Sequence, residues 1–473
     1  MTTMYASARD LAQAIRSGEL TSRELVEQAI ARADEVDGAV NALIWRNDDD
    51  ALAAADAADA AIRAGDDVGP FHGVPLPIKE LTWVAGQPGT FGSLGVSDAP
   101  RPINDLVVDR FLQAGFVLFG RSNSPEAGPM SVTENQRFGV TRNPWNLDYS
   151  PAGSSGGAAA AVAAGIVPVA HATDGGGSIR MPSSATGLVG LKPSRGRVPA
   201  RVPTWEHSIV EGVITRHIAD TAAILDAISA PDYTLPYVAP APSRPFVSEL
   251  DSEGPRLRVG LVLDTPSGLP VDPAAVAATR DLAAALEHLG HCVEPVQPRM
   301  HSFEAVMGFV DVIINAWLWA TPYDNPELAE PYIRARKERA LGHHSGQYAI
   351  AAARLYAENV DILAQWGRDF DVLLTPTMAT LPPLVGTVLA EANEQFDGPR
   401  ETENRMIAFT AFANITGQPA ISLPVGMSPS GLPVGAQLIG GPFDEATLIR
   451  LAASVEPAFG WTQLRPDLSH APA

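Results

Sequence analysis

Two short runs hold the residue types that could do covalent chemistry: Gly153-Ser154-Ser155-Gly156-Gly157 and Gly175-Gly176-Gly177-Ser178. Glycine costs backbone entropy and adds no packing, so such runs mark tight turns or close approach of the main chain to a bound group. A serine hydroxyl becomes a useful nucleophile only when a base takes its proton, and serine hydrolases use histidine or lysine for this. Lys79 lies among Val74, Leu76, Ile78 and Leu81. With an ordinary pKa near 10.4, only about 0.04% of a lysine is neutral at pH 7, so Lys79 can act as a base only if burial lowers that value.

Other chemistries fit less well. The first run matches G-x-S-x-G, which would make Ser155 the nucleophile of a strand-to-helix elbow. The alanine-rich stretch after it suits the helix, but Asn143 to Gly153, with its prolines and asparagines, is a poor central strand. No phosphate loop is present, since G-x-x-x-x-G-K-[ST] does not occur and Gly175 to Arg180 does not complete G-x-G-x-x-G. No metal site is expected: His343 and His344 would point to different faces of a helix and lack an acidic partner at ligand spacing. Trp317 and Trp319 admit two readings, a substrate channel or simple core.

The elements that must position these residues follow from pattern and composition. Ser7 and Thr21 each stand three residues before an acid, Asp10 and Glu24, which predicts capped N-terminal helices; a third helix is predicted over Asp50 to Ala64, ending at Gly65. From Gly73 onward, short β-rich runs such as Phe116-Val117-Leu118-Phe119 alternate with helical or loop segments, the pattern of an α/β layer fold. Arg256 to Leu263, a helix from Asp272-Pro273 to Gly290, and Cys292 to Gln297 read as a β-α-β unit. Ser302 to Asp369 reads as mainly helical. Asp371 to Pro376 and Gln418 to Gly426 read as strands, the second entering a hairpin that turns at Ser430-Gly431. The proline-rich stretch Pro236 to Pro245 reads as a surface linker.

A chain of 473 residues, 46% hydrophobic and 18% charged, can bury a large core. Its formal charge of −21 argues against a nucleic-acid partner, because such binding needs clustered Lys and Arg. Cys292 is the only cysteine, which excludes an intrachain disulfide and a cysteine-rich zinc site and fits a reducing, cytoplasmic compartment. The N-terminus lacks a secretory pattern. The longest apolar run, Ala158 to Ala172, contains Gly165 and Pro168 and is too short to span a bilayer, so no membrane association is expected.

Taken in order, "GVPLPIKE" (Gly73 to Glu80), "GRSNSPEAG" (Gly120 to Gly128), "FGVTRNPWN" (Phe138 to Asn146), "SPAGSSGG", "TDGGGSIRMPSS", "GLVGLKPSRGRV" (Gly187 to Val198) and "NITGQPAISLPVG" resemble the amidase signature family. The resemblance implies one α/β domain over 1–473, built on a large mixed, mostly parallel twisted sheet with helices on both faces. Within it, 1–65 would be N-terminal helices, 66–200 the catalytic core, 200–370 a variable substrate-side region and 371–473 the completion of the core. It implies Lys79 as base, Ser154 as a bridging serine on a cis peptide, and Ser178 as nucleophile. Backbone N–H groups of Gly175, Gly176, Gly177 and Ser178 would form the oxyanion hole, Ser155 would hydrogen-bond within the network, and Asp174 and Arg180 would brace the loop. Lys79 should then lie within reach of Ser154, and Ser154 within reach of Ser178, with no histidine touching either serine.

The family's acyl site points to Gly128 and Met130 as pocket residues, with Trp317 and Trp319 as further candidates. Ala152, Glu80 and Gly175 depart from the commoner family pattern, and "DGGGS" is similar to the branch of cyclic-dimer hydrolases and acylamidases. The implied reaction is cofactor-free hydrolysis of a C–N acyl bond in an uncharged, fairly apolar amide, anilide or nylon-type oligomer, with carbamates and esters also admissible. A homodimer is left open. Two rivals remain: an ammonia-releasing amidotransferase subunit of a tRNA-dependent complex, and a non-catalytic binding homologue.

Overall fold

A computed structural model describes residues 3–469. The chain opens as its caps dictate. Thr21 Oγ1 accepts from the Glu24 N–H at 3.1 Å while Glu24 Oε2 accepts from the Thr21 N–H at 2.9 Å, a closed capping box at the start of the helix Ser22–Val40. Such a cap contributes about 1 kcal/mol. Asn47 caps the third helix, Asp48–Ala64, which ends at Gly65 with φ +75.

A small sheet holds β1 (Leu43–Trp45), β2 (Pro75–Lys79) and β3 (Val117–Ser122), with β2 parallel and β1 antiparallel to β3. A two-residue ladder, β4 (Glu134–Asn135) and β5 (Gly139–Val140), follows. The large sheet contains β6 (Val169–Asp174), β7 (Val189–Lys192), β8 (Val210–Thr215), β9 (Arg258–Leu261), β10 (Cys292–Pro295), β11 (Val372–Pro376), β12 (Ala420–Met427) and β13 (Pro433–Ile439). Its order is β10-β9-β11-β13-β12-β7-β8-β6.

The sheet is mixed, as expected, but it is not mostly parallel. Among the described residues only β10/β9 and β9/β11 run parallel; the other neighbours are antiparallel. Connection length explains this. Parallel neighbours need a crossover of a dozen residues or more, which the helix Pro273–His288 supplies between β9 and β10. β12 and β13 instead form a hairpin through Gly431 (φ +77) and therefore pair antiparallel in the middle of the sheet.

Helices pack on the sheet. Gly156–Ala163 is buried at every residue, so the alanine-rich run is a core helix. Residues 303–363 form a helical layer that includes a π-helical segment, Gly308–Ile313. Phe303–Ala320 is apolar and long enough to cross a membrane by length and composition alone; here Ile313, Ile314 and Leu318 are in a core beside Met130 and Trp205.

Candidate active site

Lys79 is the last residue of β2 and is completely buried. Its Nζ lies 2.8 Å from each of three hydroxyls: Ser154 Oγ, Ser155 Oγ and Thr173 Oγ1. An ammonium has three protons to donate and satisfies all three; a neutral amine has only two, so one hydroxyl must then donate to it. Ser155 is already committed, because its own proton goes to Thr173 O at 3.1 Å. Ser154 Oγ has no other partner among the described residues and is free to turn its proton to the amine. Burial pushes Lys79 down to about 7, against the opposing pull of Glu211 and Asp174.

The glycines of the first run are needed for close backbone approach. A Cβ on Gly153 would meet the Val132 carbonyl at 2.6 Å, and Gly156 packs against Thr133, whose Oγ1 accepts the Gly156 N–H at 2.9 Å. The Gly153–Ser154 peptide bond is cis. A helix follows Ser155, but no strand precedes it and its hydroxyl is held by Lys79 and Thr173, so it does not form a nucleophile elbow.

The second run leaves β6 as a loop gripped by one carboxylate. Asp174 accepts from the N–H groups of Gly177 (2.7 Å) and Ile179 (3.1 Å), from Asn414 Nδ2 (2.8 Å), and from Arg180 Nε and Nη2 (3.0 and 2.9 Å). Arg180 also donates to Thr410 O, Gln437 Oε1 and Asn414 Oδ1. Burial works to raise the Asp174 carboxyl, but the Arg180 guanidinium outweighs it and holds the group well below the usual carboxylate range. Together the carboxylate and the guanidinium brace the loop.

The brace narrows the expected oxyanion cradle. The Gly177 N–H is turned onto Asp174 and is not available, whereas those of Gly175, Gly176 and Ser178 have no partner among the described residues. Gly177 sits at φ +128, which a side chain rarely adopts. Ser178 is nearly buried, and its carbonyl accepts the Ser155 N–H at 3.3 Å, which ties the two runs together. No hydrogen bond joins Ser178 Oγ to Ser154 Oγ among the described residues. Among the described residues no histidine bonds to either serine; His171 meets the main chain of Lys79.

The pocket candidates divide. Gly128 stands beside Ser154, with Ser154 Oγ 3.9 Å from where its Cβ would be. Met130 is buried in the core that also holds Met181 and Trp205, and its Sδ accepts from Arg400. Trp317 packs on that core and donates to Tyr348 OH at 3.2 Å. Trp319 is 55% exposed and lies on another face of the helix from Trp317, because residues two apart on a helix face opposite ways.

Several neighbours escape sequence reasoning. Thr173 carried a signal, since it opens the "TDGGGS" motif. Trp205 carried none: it enters a turn in which Trp205, Glu206 and His207 all have left-handed φ (53, 54 and 60). Tyr348 and Tyr356 both donate to Glu206 there, and the Trp205 ring would touch a Cβ on Gly175 at 3.0 Å. With Ile209 Cγ1 at 2.9 Å from the same point, these contacts leave little room for a side chain at 175.

Comparison with known proteins places this geometry. The amidase family model matches residues 24–449. A 6-aminohexanoate-cyclic-dimer hydrolase from Pseudomonas sp. (strain NK87) is 36% identical, over 98% of this chain and 97% of that protein. A solved structure of 6-aminohexanoate cyclic dimer hydrolase superposes with a TM-score of 0.91 at 32% identity, covering 99% of this chain and 100% of that one. A bacterial aryl acylamidase structure of the amidase signature enzymes gives a TM-score of 0.88 at 28% identity, covering 97% of each chain.

Proposed function

The chain belongs to the amidase signature family and is an amidase acting on C–N bonds, and within that class we propose that it hydrolyses small to medium, fairly apolar amides through an acyl-enzyme on Ser178. The observation that carries this reading is the buried Lys79 amine, brought down to about 7 and 2.8 Å from Ser154 Oγ. At that value about half of the lysine is neutral at pH 7. Ser178 Oγ attacks the carbonyl carbon as its proton passes to Ser154, and the Ser154 proton passes to Lys79 Nζ. The free N–H groups of Gly175, Gly176 and Ser178 receive the charge that develops on the carbonyl oxygen. The C–N bond then breaks as the relay returns a proton to the leaving amine, and water repeats the sequence to free the acid. The open Ser178 side chain fits a free enzyme, since catalytic hydrogen bonds often tighten only with substrate bound.

Likeness to a cyclic-dimer hydrolase and an aryl acylamidase supports acylamides, anilides and nylon-type oligomers as substrates. Carbamates and esters belong to the same proposal, because they pass through the same tetrahedral chemistry. A fluorophosphonate followed by peptide mass spectrometry should place the adduct on Ser178, and Ser178→Ala should lose both label and turnover, by about 10⁴-fold or more. Label on Ser155, or a fully active Ser178→Ala enzyme, would overturn the mechanism.

A further inference from the structure

Lys79 is held by its main chain as well as by its amine. β2 lies beside β6, the edge strand of the large sheet, and the Lys79 N–H donates to His171 Nδ1 at 3.2 Å. A ring nitrogen that accepts carries no proton, so the His171 proton is on Nε2. Nε2 faces Glu211 Oε2 at 2.7 Å. His171 is fully buried, whereas the Glu211 side chain is 16% exposed. The β6/β8 register sets Glu211 opposite Thr173, and Thr173 Oγ1 is one of the three hydroxyls around the amine.

We propose that Glu211, acting through His171, is a positioning residue for Lys79: its carboxylate fixes the ring tautomer that anchors the Lys79 main chain, and it sets a negative charge beside the buried amine. This rests on the reading of Lys79 as the base. The charged groups concerned are few. Asp174, at the end of β6, also favours the protonated amine, but it is held by Arg180 and Asn414 and is influenced by Lys192 as well. Asp105 faces the His171–Glu211 pair and accepts the Trp83 N–H at 2.6 Å; the Phe111 ring packs edge-on to His171. Of the two acids that act on the amine, Glu211 and Asp174, Glu211 is the one outside the loop brace. Its charge favours the protonated lysine and works against burial, so removing it makes the amine lose its proton at lower pH.

The test compares Glu211→Gln and Glu211→Leu with wild type and with Lys79→Ala in the full chain. Each is assayed for phosphonylation rate at Ser178 and for kcat/KM on an anilide, across about pH 5 to 9. Glutamine still offers Nε2–H an acceptor but carries no charge, so its rising limb should move to lower pH by about 0.5 to 1 unit. Leucine removes the acceptor as well, so the Nδ1–H tautomer that opposes the Lys79 N–H becomes accessible. Its limb should move likewise, with a plateau about tenfold below that of Glu211→Gln. A glutamine variant whose limb coincides with that of wild type, while Lys79→Ala is inactive, overturns the role of Glu211 alone. An active Lys79→Ala enzyme with an unchanged limb overturns the base reading beneath it. If the leucine variant does not fold, the glutamine limb still decides.

Discussion

Lys79, at the end of β2, and Arg180, at the start of the helix that follows the loop leaving β6, are both completely buried basic groups, yet their surroundings differ in one respect. Arg180 meets a carboxylate, with Nη2 2.9 Å from Asp174 Oδ1, and three further acceptors. Lys79 meets three neutral hydroxyls. A buried charge in contact with its counter-ion becomes a clamp, because breaking the pair strands a charge in low dielectric. A buried lysine among hydroxyls has no counter-ion in contact and gives up its proton instead. Lys192 adds a second condition. Burial brings it, too, down to about 7, but among the described residues its Nζ donates only to the Pro193 carbonyl, which has no proton to exchange. A depressed pKa makes a base only where a hydroxyl is in contact.

The largest effect that could break this contrast comes from Lys79→Ala. Loss of a general base costs about 10²- to 10⁴-fold in rate. In the wild type the working form is the neutral amine, so kcat/KM should climb with pH below about 7 and level off above it. That limb should vanish in Lys79→Ala. Residual activity with the same limb would assign the base to another group.

Asp174→Asn probes the clamp, with a smaller but still large effect. Asparagine preserves size and some hydrogen bonding but leaves Arg180 buried without its counter-ion, at a cost of about 3–5 kcal/mol. Chemical denaturation should show a midpoint lowered accordingly, with activity falling as the Gly177 N–H loses its fixed acceptor. A stability change under about 1 kcal/mol would mean that Arg180 finds enough acceptors in Thr410, Gln437 and Asn414, and that the clamp is not ionic.

How much of this was legible depends on whether the determinant was local. The Thr21–Glu24 capping box, the Asp272-Pro273 helix start and the Ser430-Gly431 turn are short-range codes, and each lies where its residues predict. Lys79, Ser154 and Ser178 were singled out by motif order, and the contact of Lys79 with Ser154 is what the structure adds. The partners of Lys79 were legible only in part: Ser154 and Ser155 lie in a glycine run, whereas His171 and Glu211 look like ordinary strand residues until β2, β6 and β8 are side by side. The β12/β13 hairpin was legible, but the directions of the β11/β13 and β12/β7 pairs are decided by contacts far apart in sequence, which periodicity does not report. Commitment of the Gly177 N–H to Asp174 was equally hidden, since all three glycines look alike in sequence and only the loop's path distinguishes them.

The smallest expected effect tests the contrast from outside the site, on the pair Trp317 and Trp319. They stand two positions apart on the helix Ile314–Ala320, so their side chains are about 200° apart around its axis. Trp317 packs on the core that contains Met130 and Trp205 and bonds to Tyr348, which in turn holds Glu206 in the left-handed turn beside Gly175. Trp319 is turned to the surface. Trp317→Ala should therefore cost about 1–3 kcal/mol of stability and alter kcat/KM between bulky and small acyl groups, because the Trp205 turn loses support. Trp319→Ala should stay within about 0.5 kcal/mol of wild type with no change in that preference. Thermal unfolding and a paired assay on two anilides of different acyl size separate the two. If Trp319→Ala shifted the preference as much as Trp317→Ala, substrate would have to reach the outer face of this helix, and the wall of the site would lie beyond Trp205.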